Sequence, residues 1–298
     1  MAEPNLQDIH SRLIDIAIKA GQMVITAHPS TTTTDTKKNS SDLVTETDQA
    51  VEDFISRTLK DFYPDYEFLG EETYHPGLHL TDKPTFVVDP IDGTTNFVHA
   101  HPYVSISLGF VNKFVPVVGV VYNPFTSKLY HAIHGHGAFL KTLEHMGKEQ
   151  RLPFRDPPEP LETLNKTLVA VEWGNERNGN NWEVKTKTFS SLAGSSEIGG
   201  AMVHSLRSLG SAALNLCAVA EGTLDAYWEG GCWAWDVAAG WVVLKEAGGI
   251  MVSGNPGDWK PKVDGRVYLA IRGAAEFDQK GIVEEFWGHV MGKLEYDV

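Results

Sequence analysis

The sequence predicts an α/β or α+β fold in which sheet layers pack against helices. Three patterns carry that expectation. Apolar side chains recur at helical spacing near the start, residues 103–140 read as an antiparallel meander, and the second half alternates strands with helices.

In order along the chain, Leu6, Ile9, Leu13, Ile16, Ala17, Ala20, Met23, Val24 and Ala27 share one face, which makes 5–28 a helix. Pro29 and the run Ser30 to Asp35 cannot pack and read as a mobile loop, closed by Lys37 and Lys38. A short strand at 43–45 leads to a helix from Asp48 to Phe62, with Val51, Phe54, Ile55 and Leu59 on its apolar face and Thr47 as N-cap. Tyr66 to Leu69 is a strand ending at Gly70-Glu71-Glu72, and Phe86-Val87-Val88 is a buried strand ending at Asp89. In the meander Val104, Ile106 and Leu108 alternate with small or polar residues, and 114–122 and 128–133 complete it. The segment 141–166, with Pro153, Pro157, Pro158 and Pro160, marks a boundary or a long surface crossover. Beyond it lie strands at 167–172, 203–209, 224–228, 250–252 and 266–271, and helices at 182–193, 211–221, 236–247 and 278–291. The expected organisation is one catalytic unit over 1–298 with sub-lobes at 1–155 and 156–298.

Composition narrows the function classes. Net charge is −14, from 39 acids against 25 bases, which argues against a nucleic-acid or anionic-membrane surface. No apolar stretch reaches the length of a membrane span, and Glu3 and Asp8 replace the basic stretch of a secretory signal. Cys217 and Cys232 form no C-x-x-C pair and no disulfide framework, so a reducing, cytoplasmic setting is expected.

The chemistry concentrates in Asp89-Pro90-Ile91-Asp92-Gly93-Thr94. Two acids three residues apart at a strand tip repel each other and persist together only with a cation or a shared proton. Glu71 meets Asp89 at the same sheet edge if their two strands are neighbours. Hard divalent ions want such oxygen ligands, and Mg²⁺ takes a few carboxylates plus waters and phosphate oxygens. Pro90 pushes Asp89 toward an extended conformation that ends the strand, and the Ile91 carbonyl is a further candidate ligand. Gly93-Thr94-Thr95-Asn96 opens a helix-like turn whose amides can hold an anion. Further on, Trp235-Asp236-Val237-Ala238-Ala239-Gly240 starts a helix, Glu229-Gly230-Gly231 follows a strand, and Gly210-Ser211-Ala212 precedes another helix.

The hexapeptide at Asp89 and the hexapeptide at Trp235 resemble the two signatures of the inositol monophosphatase family. Gly70-Glu71-Glu72 and Leu43-Val44-Thr45-Glu46-Thr47-Asp48 are similar to its other landmarks, in order, over about residues 8–290. The resemblance implies a layered α-β-α-β-α sandwich of the inositol monophosphatase and fructose-1,6-bisphosphatase type. It implies a lithium-sensitive phosphomonoesterase using up to three Mg²⁺ ions, usually a homodimer, acting on a small phosphorylated polyol such as inositol monophosphate. Carried over by position, Glu71, Asp89 and the Ile91 carbonyl would hold one ion, and Asp89, Asp92 and Asp236 a second. Glu71 would also touch a third near the loop carrying Lys37. Thr94, bonded to Asp48, would with Glu71 orient and deprotonate the attacking water. Gly93 and Thr94 amides would hold phosphate, and Asp92, Ser211, Ala212, Glu229 and Asp236 would contact polyol hydroxyls.

Alternatives stay open. Sibling phosphatases act on fructose 1,6-bisphosphate or 3′-phosphoadenosine nucleotides, but those substrates need basic residues, and Glu229-Gly230-Gly231 offers none nearby. Asp92-Gly93-Thr94 superficially resembles the nucleophile motif of haloacid dehalogenase-like phosphatases, whose acids lie two apart rather than three with a proline between. His131, His134 and His136 could suggest zinc, yet no fourth ligand has suitable spacing. Cys217 reads as core, and Trp173 and Trp182 as packing or dimer contacts.

Overall fold

The computed structural model describes residues 3–27, 35–36, 43–143 and 149–297. The loop residues 30–34, Lys37 and Lys38 lie outside the described residues. α1 (Leu6–Thr26) is capped by the Asn5 side chain and buries Ile9, Leu13, Ile16 and Ala20. β1 (Asp35–Thr36) pairs antiparallel with β2 (Leu43–Val44), so Asp35, expected in a loop, has strand backbone. α2 (Glu46–Phe62) starts before Asp48, and its N-cap is Thr45 rather than Thr47. Thr45 is extended and accepts from the Thr47 and Asp48 amides, while Asp48 accepts from the Thr45 amide at 3.0 Å. That reciprocal pair satisfies two orphan donors and outcompetes a cap further in.

The first sheet runs β3 (Glu67–Gly70), β4 (Thr85–Asp92), β5 (Ser105–Asn112), β6 (Val115–Asn123), β7 (Lys128–Ile133), β8 (Ala138–Thr142) and β9 (Glu149–Arg151) in that spatial order. The β3–β4 pair is parallel and the rest is the expected antiparallel meander. Short α3 (Thr94–Val98) follows β4. Pairing of β4 does not stop at Asp89. It continues to Asp92 across a bulge, with Asp89 opposite Ser107 and Asp92 opposite Ser105. A bulge accommodates Pro90, which has no amide to give the ladder.

The second half comprises β10 (Leu168–Val171), α4 (Gly179–Ala193), β11 (Ser205–Arg207), α5 (Ala212–Glu221), β12 (Ala226–Gly230), α6 (Ala234–Glu246), β13 (Ile250–Ser253), β14 (Val267–Ile271) and α7 (Glu276–His289). Its sheet has the order β11-β10-β12-β14-β13 and mixes parallel with antiparallel pairs. The proline-rich crossover is tethered: Arg272 donates to the Glu159 and Pro160 carbonyls at 2.6 and 3.1 Å, and Leu152, Leu161 and Leu164 are buried.

Alternation along the strands sorts the layers. Phe86 and Val88 face α1 and α2, while Val87 packs among α5 and α6 residues. Tyr227, Tyr268 and Ala270 meet the same two helices from the second sheet. On that sheet's far face Trp228, Leu269 and Ile271 pack with Val184 of α4 and Phe286 of α7. The order is helices, sheet, helices, sheet, helices. α6 lies close against β5 and β6 because Gly109 and Gly119 carry no side chain. A Cβ at Gly119 would sit 2.2 Å from the Ala239 carbonyl oxygen.

Candidate active site

Parallel β3 and β4 end side by side, and the Glu71 amide still bonds the Val88 carbonyl at 3.2 Å. This puts Glu71 next to Asp89, as the sequence predicts. The turn is held from below by Glu52 of α2, whose carboxylate accepts from the Glu72 and Thr73 amides at 2.7 and 2.8 Å. Asp236 arrives from the first turn of α6, where one of its oxygens accepts from the Trp233 amide at 2.6 Å. One oxygen each from Glu71, Asp89 and Asp236 lies within 4.8 Å of the others.

Carboxylates this close repel one another, and two of the three show it. Burial pushes Asp89 well above its ordinary range, with Glu71, Asp92 and Asp236 adding repulsion. Asp236 is raised in the same way, by burial and then by Glu71 and Asp92. The donor set is all oxygen, with no sulfur or imidazole. Those donors fit a hard divalent cation, whose charge would relieve the repulsion.

Asp92 stands apart from this trio. It is buried and collects donors from α5: the Ser211 hydroxyl, the Ala212 amide at 3.2 Å and the Ala213 amide at 2.9 Å, with Ser105 at 3.2 Å. The anion sits at a helix N-terminus, where unpaired amides and the macrodipole favour it. Burial nevertheless raises Asp92 to about 6. The Ser211 hydroxyl and Ala212 amide, which the resemblance assigns to substrate hydroxyls, both go to Asp92 in this structure.

Gly93 caps α3 with φ 95°, and a Cβ there would meet the Gly210 and Tyr103 carbonyls at 2.9 and 3.0 Å. Only glycine suits both the left-handed backbone and the close approach. Thr94 then reaches two acceptors with one hydroxyl, Asp48 Oδ1 at 3.0 Å and the Ile91 carbonyl at 3.1 Å. Burial also raises the Asp48 carboxyl above its ordinary value.

In the same cavity, Glu229, next to last in β12, is raised to about 7, by burial first and then by Glu172. The Tyr227 hydroxyl donates to it. Glu71, Asp92, Gly93, Thr94, Ser211, Ala212, Glu229 and Asp236 line one cavity of about 630 Å³. The structure therefore gathers these eight expected site residues, with Asp48 behind Thr94 and Lys37 outside the described residues.

Sequence reading missed three supports. Glu52 lies on α2's buried face with Val51, Ile55 and Leu59, a helical position where a charge was the available signal. Lys185 sits on α4's buried face with Asn181, Val184, Thr188 and Leu192 in the same way. Glu172 carried no signal: its carboxylate accepts from the Ser208 hydroxyl and the Leu209 and Gly210 amides at 3.0, 2.6 and 2.9 Å, holding the loop before Ser211. The histidines are otherwise engaged, His131 with His10 at 3.0 Å and with Glu149 at 3.2 Å. Trp173 packs on Trp182 with ring centres 5.5 Å apart, and Cys217 is fully buried.

A five-layered fold with an oxygen-donor trio beside a part-buried Thr94–Asp48 pair suits metal-assisted hydrolysis of phosphoric monoesters. The chain belongs to the inositol monophosphatase family, whose model matches residues 5–291. It is 47% identical over 298 residues to inositol monophosphatase 2 of Saccharomyces cerevisiae, covering 98% of each chain. An IMPase structure from Thermotoga maritima superposes with TM-score 0.73 at 25% identity, covering 95% of this chain and 99% of that one. SaIMPase-II with inositol monophosphate bound superposes at 0.71 with 26% identity, covering 95% and 93%. Among the described residues, no helix is long and apolar enough to cross a membrane.

Proposed function

We propose that the protein hydrolyses inositol monophosphates to myo-inositol and phosphate with Mg²⁺, as a cytoplasmic homodimer with one catalytic unit per chain. The observation that carries this reading is the carboxylate trio of Glu71, Asp89 and Asp236, two of which, Glu71 and Asp236, line one cavity with Thr94 and Glu229. Those three acids would hold the ions, with the Ile91 carbonyl and Asp92 as further ligands and up to three ions in all. The chemistry Mg²⁺ supplies when bound is positive charge that acidifies water and screens the phosphate oxygens. Asp48 accepts the Thr94 hydroxyl hydrogen bond, which leaves the Thr94 oxygen facing water as an acceptor, and the water proton would pass to Thr94 as the Thr94 proton passes to Asp48. Glu71 orients that water from the other side. Gly93 and Thr94 amides hold phosphate oxygens, and Glu229 with Asp236 reads hydroxyls of the polyol. The bound inositol monophosphate of the SaIMPase-II structure supports the substrate class.

The test is phosphate release from a substrate panel after chelator treatment, with Mg²⁺ restored and with or without Li⁺. Release from inositol 1-phosphate should require Mg²⁺, be inhibited by Li⁺, and exceed that from 3′-phosphoadenosine 5′-phosphate by at least about tenfold in kcat/KM. The nucleotide arm matters because Arg177, distant in sequence from Glu229, is exposed and lines the same cavity. It is the basic residue that a second reading, a nucleotide or bisphosphate phosphatase, would use. Preference for the nucleotide would hand the function to that reading.

The relay gives a second expected result. Thr94→Ala should lower kcat by about 10²-fold or more with little change in KM, and Thr94→Ser should recover most of it. A large KM effect in steady-state assays would instead make Thr94 a substrate-binding group.

A further inference from the structure

Lys185 is a lysine in a place where lysine is costly. It lies on the buried face of α4 and is 1% exposed. Lysines are almost never this buried unless paired. Its Nζ donates to the Trp173 carbonyl at 3.1 Å and the Gly230 carbonyl at 2.7 Å. Trp173 leads away from β10 and Gly230 ends β12, so the ammonium joins two walls of the active-site cavity.

A third wall converges on the same point. The Tyr296 ring centre lies 5.9 Å from Lys185 Nζ. The stretch around Tyr296 is pinned by Asn181, which exchanges hydrogen bonds with the Glu295 backbone at 2.8 and 2.8 Å, and by Arg266, which donates to the Asp297 carbonyl at 2.9 Å. Arg266 also holds the Gly231 and Cys232 carbonyls at 2.8 Å each. Burial holds Lys185 below the usual lysine range, and the carboxylates of Glu229, Glu176 and Glu172, which line the cavity with it, oppose that.

We propose that Lys185 is a positioning residue for substrate recognition: by clamping the Trp173 and Gly230 carbonyls together it sets the wall from which Glu229 faces the polyol. The proposal rests on the reading of Glu229 as a polyol contact. Replacing Lys185 with an apolar residue of similar length leaves two carbonyls without their donor and removes the counter-charge of Glu229. The β12 end then relaxes, while the phosphate-holding loop at Gly93 keeps its own supports, the Thr94 hydroxyl on Asp48 and on the Ile91 carbonyl.

The experiment compares KM for inositol 1-phosphate with Ki for inorganic phosphate in Lys185→Met, Glu229→Gln and the double variant of the Mg²⁺-loaded enzyme. Neither constant depends on the fraction of molecules that fold. Lys185→Met should raise KM about tenfold while Ki moves less than about twofold, as expected when a single hydroxyl contact is misplaced. Glu229→Gln should do the same, and the double variant should add little, because both changes remove one interaction. An unchanged KM in Lys185→Met beside a raised KM in Glu229→Gln overturns the proposal and leaves the Glu229 reading intact. Fully additive effects, or equal rises in KM and Ki, overturn it too. An unchanged KM in Glu229→Gln defeats the Glu229 reading, and the proposal with it.

Discussion

Asp89→Asn is expected to cost at least about 10³-fold in kcat while making the metal-free protein harder to unfold. The two effects have one cause. Asp89 is buried against Glu71, Asp92 and Asp236, and its negative charge is opposed by all of them. Asparagine keeps the shape and keeps the acceptor for the Ile91 amide, which Asp89 Oδ1 binds at 3.0 Å. It removes the repulsion and, with it, the site's grip on a divalent ion. Sites that hold groups in unfavourable company sacrifice stability for function. The pH dependence follows. Asp89, Asp92 and Asp236 bind protons more tightly folded than unfolded, so their support for the fold is complete below the ordinary value of 3.8 and is lost as pH rises through the folded values, about 6 for Asp92. The melting temperature of the metal-free protein should therefore fall across this range, and fall less in Asp89→Asn. Added Mg²⁺ should oppose the trend, since it competes with protons for the same oxygens. Calorimetry with and without Mg²⁺ checks both. A metal-free Asp89→Asn protein less stable than the parent at neutral pH would show that the acids are not in conflict.

Gly119→Ala is the larger expected effect on the fold. The added methyl would lie 2.2 Å from the Ala239 carbonyl oxygen and 2.9 Å from its carbon. Both neighbours are backbone, in a helix packed against both sheets, and cannot swing aside. α6 must move away from β6, at a cost of about 3 kcal/mol or more by the overpacking scale. Because α6 begins at Ala234 and carries Asp236 in its first turn, the same shift draws Asp236 away from Asp89. Denaturant unfolding should show the lost stability, and a Mg²⁺ titration of activity should show weaker ion binding in the folded fraction. Gly281→Ala is the matching control. It lies on the exposed face of α7 with nothing within 4 Å of the added carbon, and should be neutral or stabilising by up to ~1 kcal/mol. Equal loss in both variants would remove the close-approach argument.

Much of this site was legible because its parts are local. The pairing of Glu71 with Asp89 needed only that two successive strands lie side by side, as β3 and β4 do. The helix N-terminus carrying Asp236, which begins two residues before the expected start, and the turn at Gly93 were likewise set by a few neighbouring residues. Errors came where another hydrogen-bonding partner competes, within one helix turn in the first case and from a second strand in the other. Thr47 looked like a cap until Thr45 and Asp48 closed on each other, and Pro90 looked like a strand end until a bulge carried pairing on to Asp92. Glu52, Glu172 and Lys185 escaped notice because their partners are backbone groups of other elements, which no motif spacing records.

By itself, then, the sequence determined the family, the layered α+β architecture and which acids could serve as ligands. Periodicity and turn chemistry act over a few residues and survive any change of surroundings. Only the tertiary structure decided how those acids are used. Two close-packed glycines bring α6, and Asp236 with it, up to Asp89, and the N-terminus of α5 claims Asp92. A buried lysine from α4 ties together the walls around Glu229. Burial and the mutual field of charges decide those roles, and both are properties of the packed layers rather than of any segment.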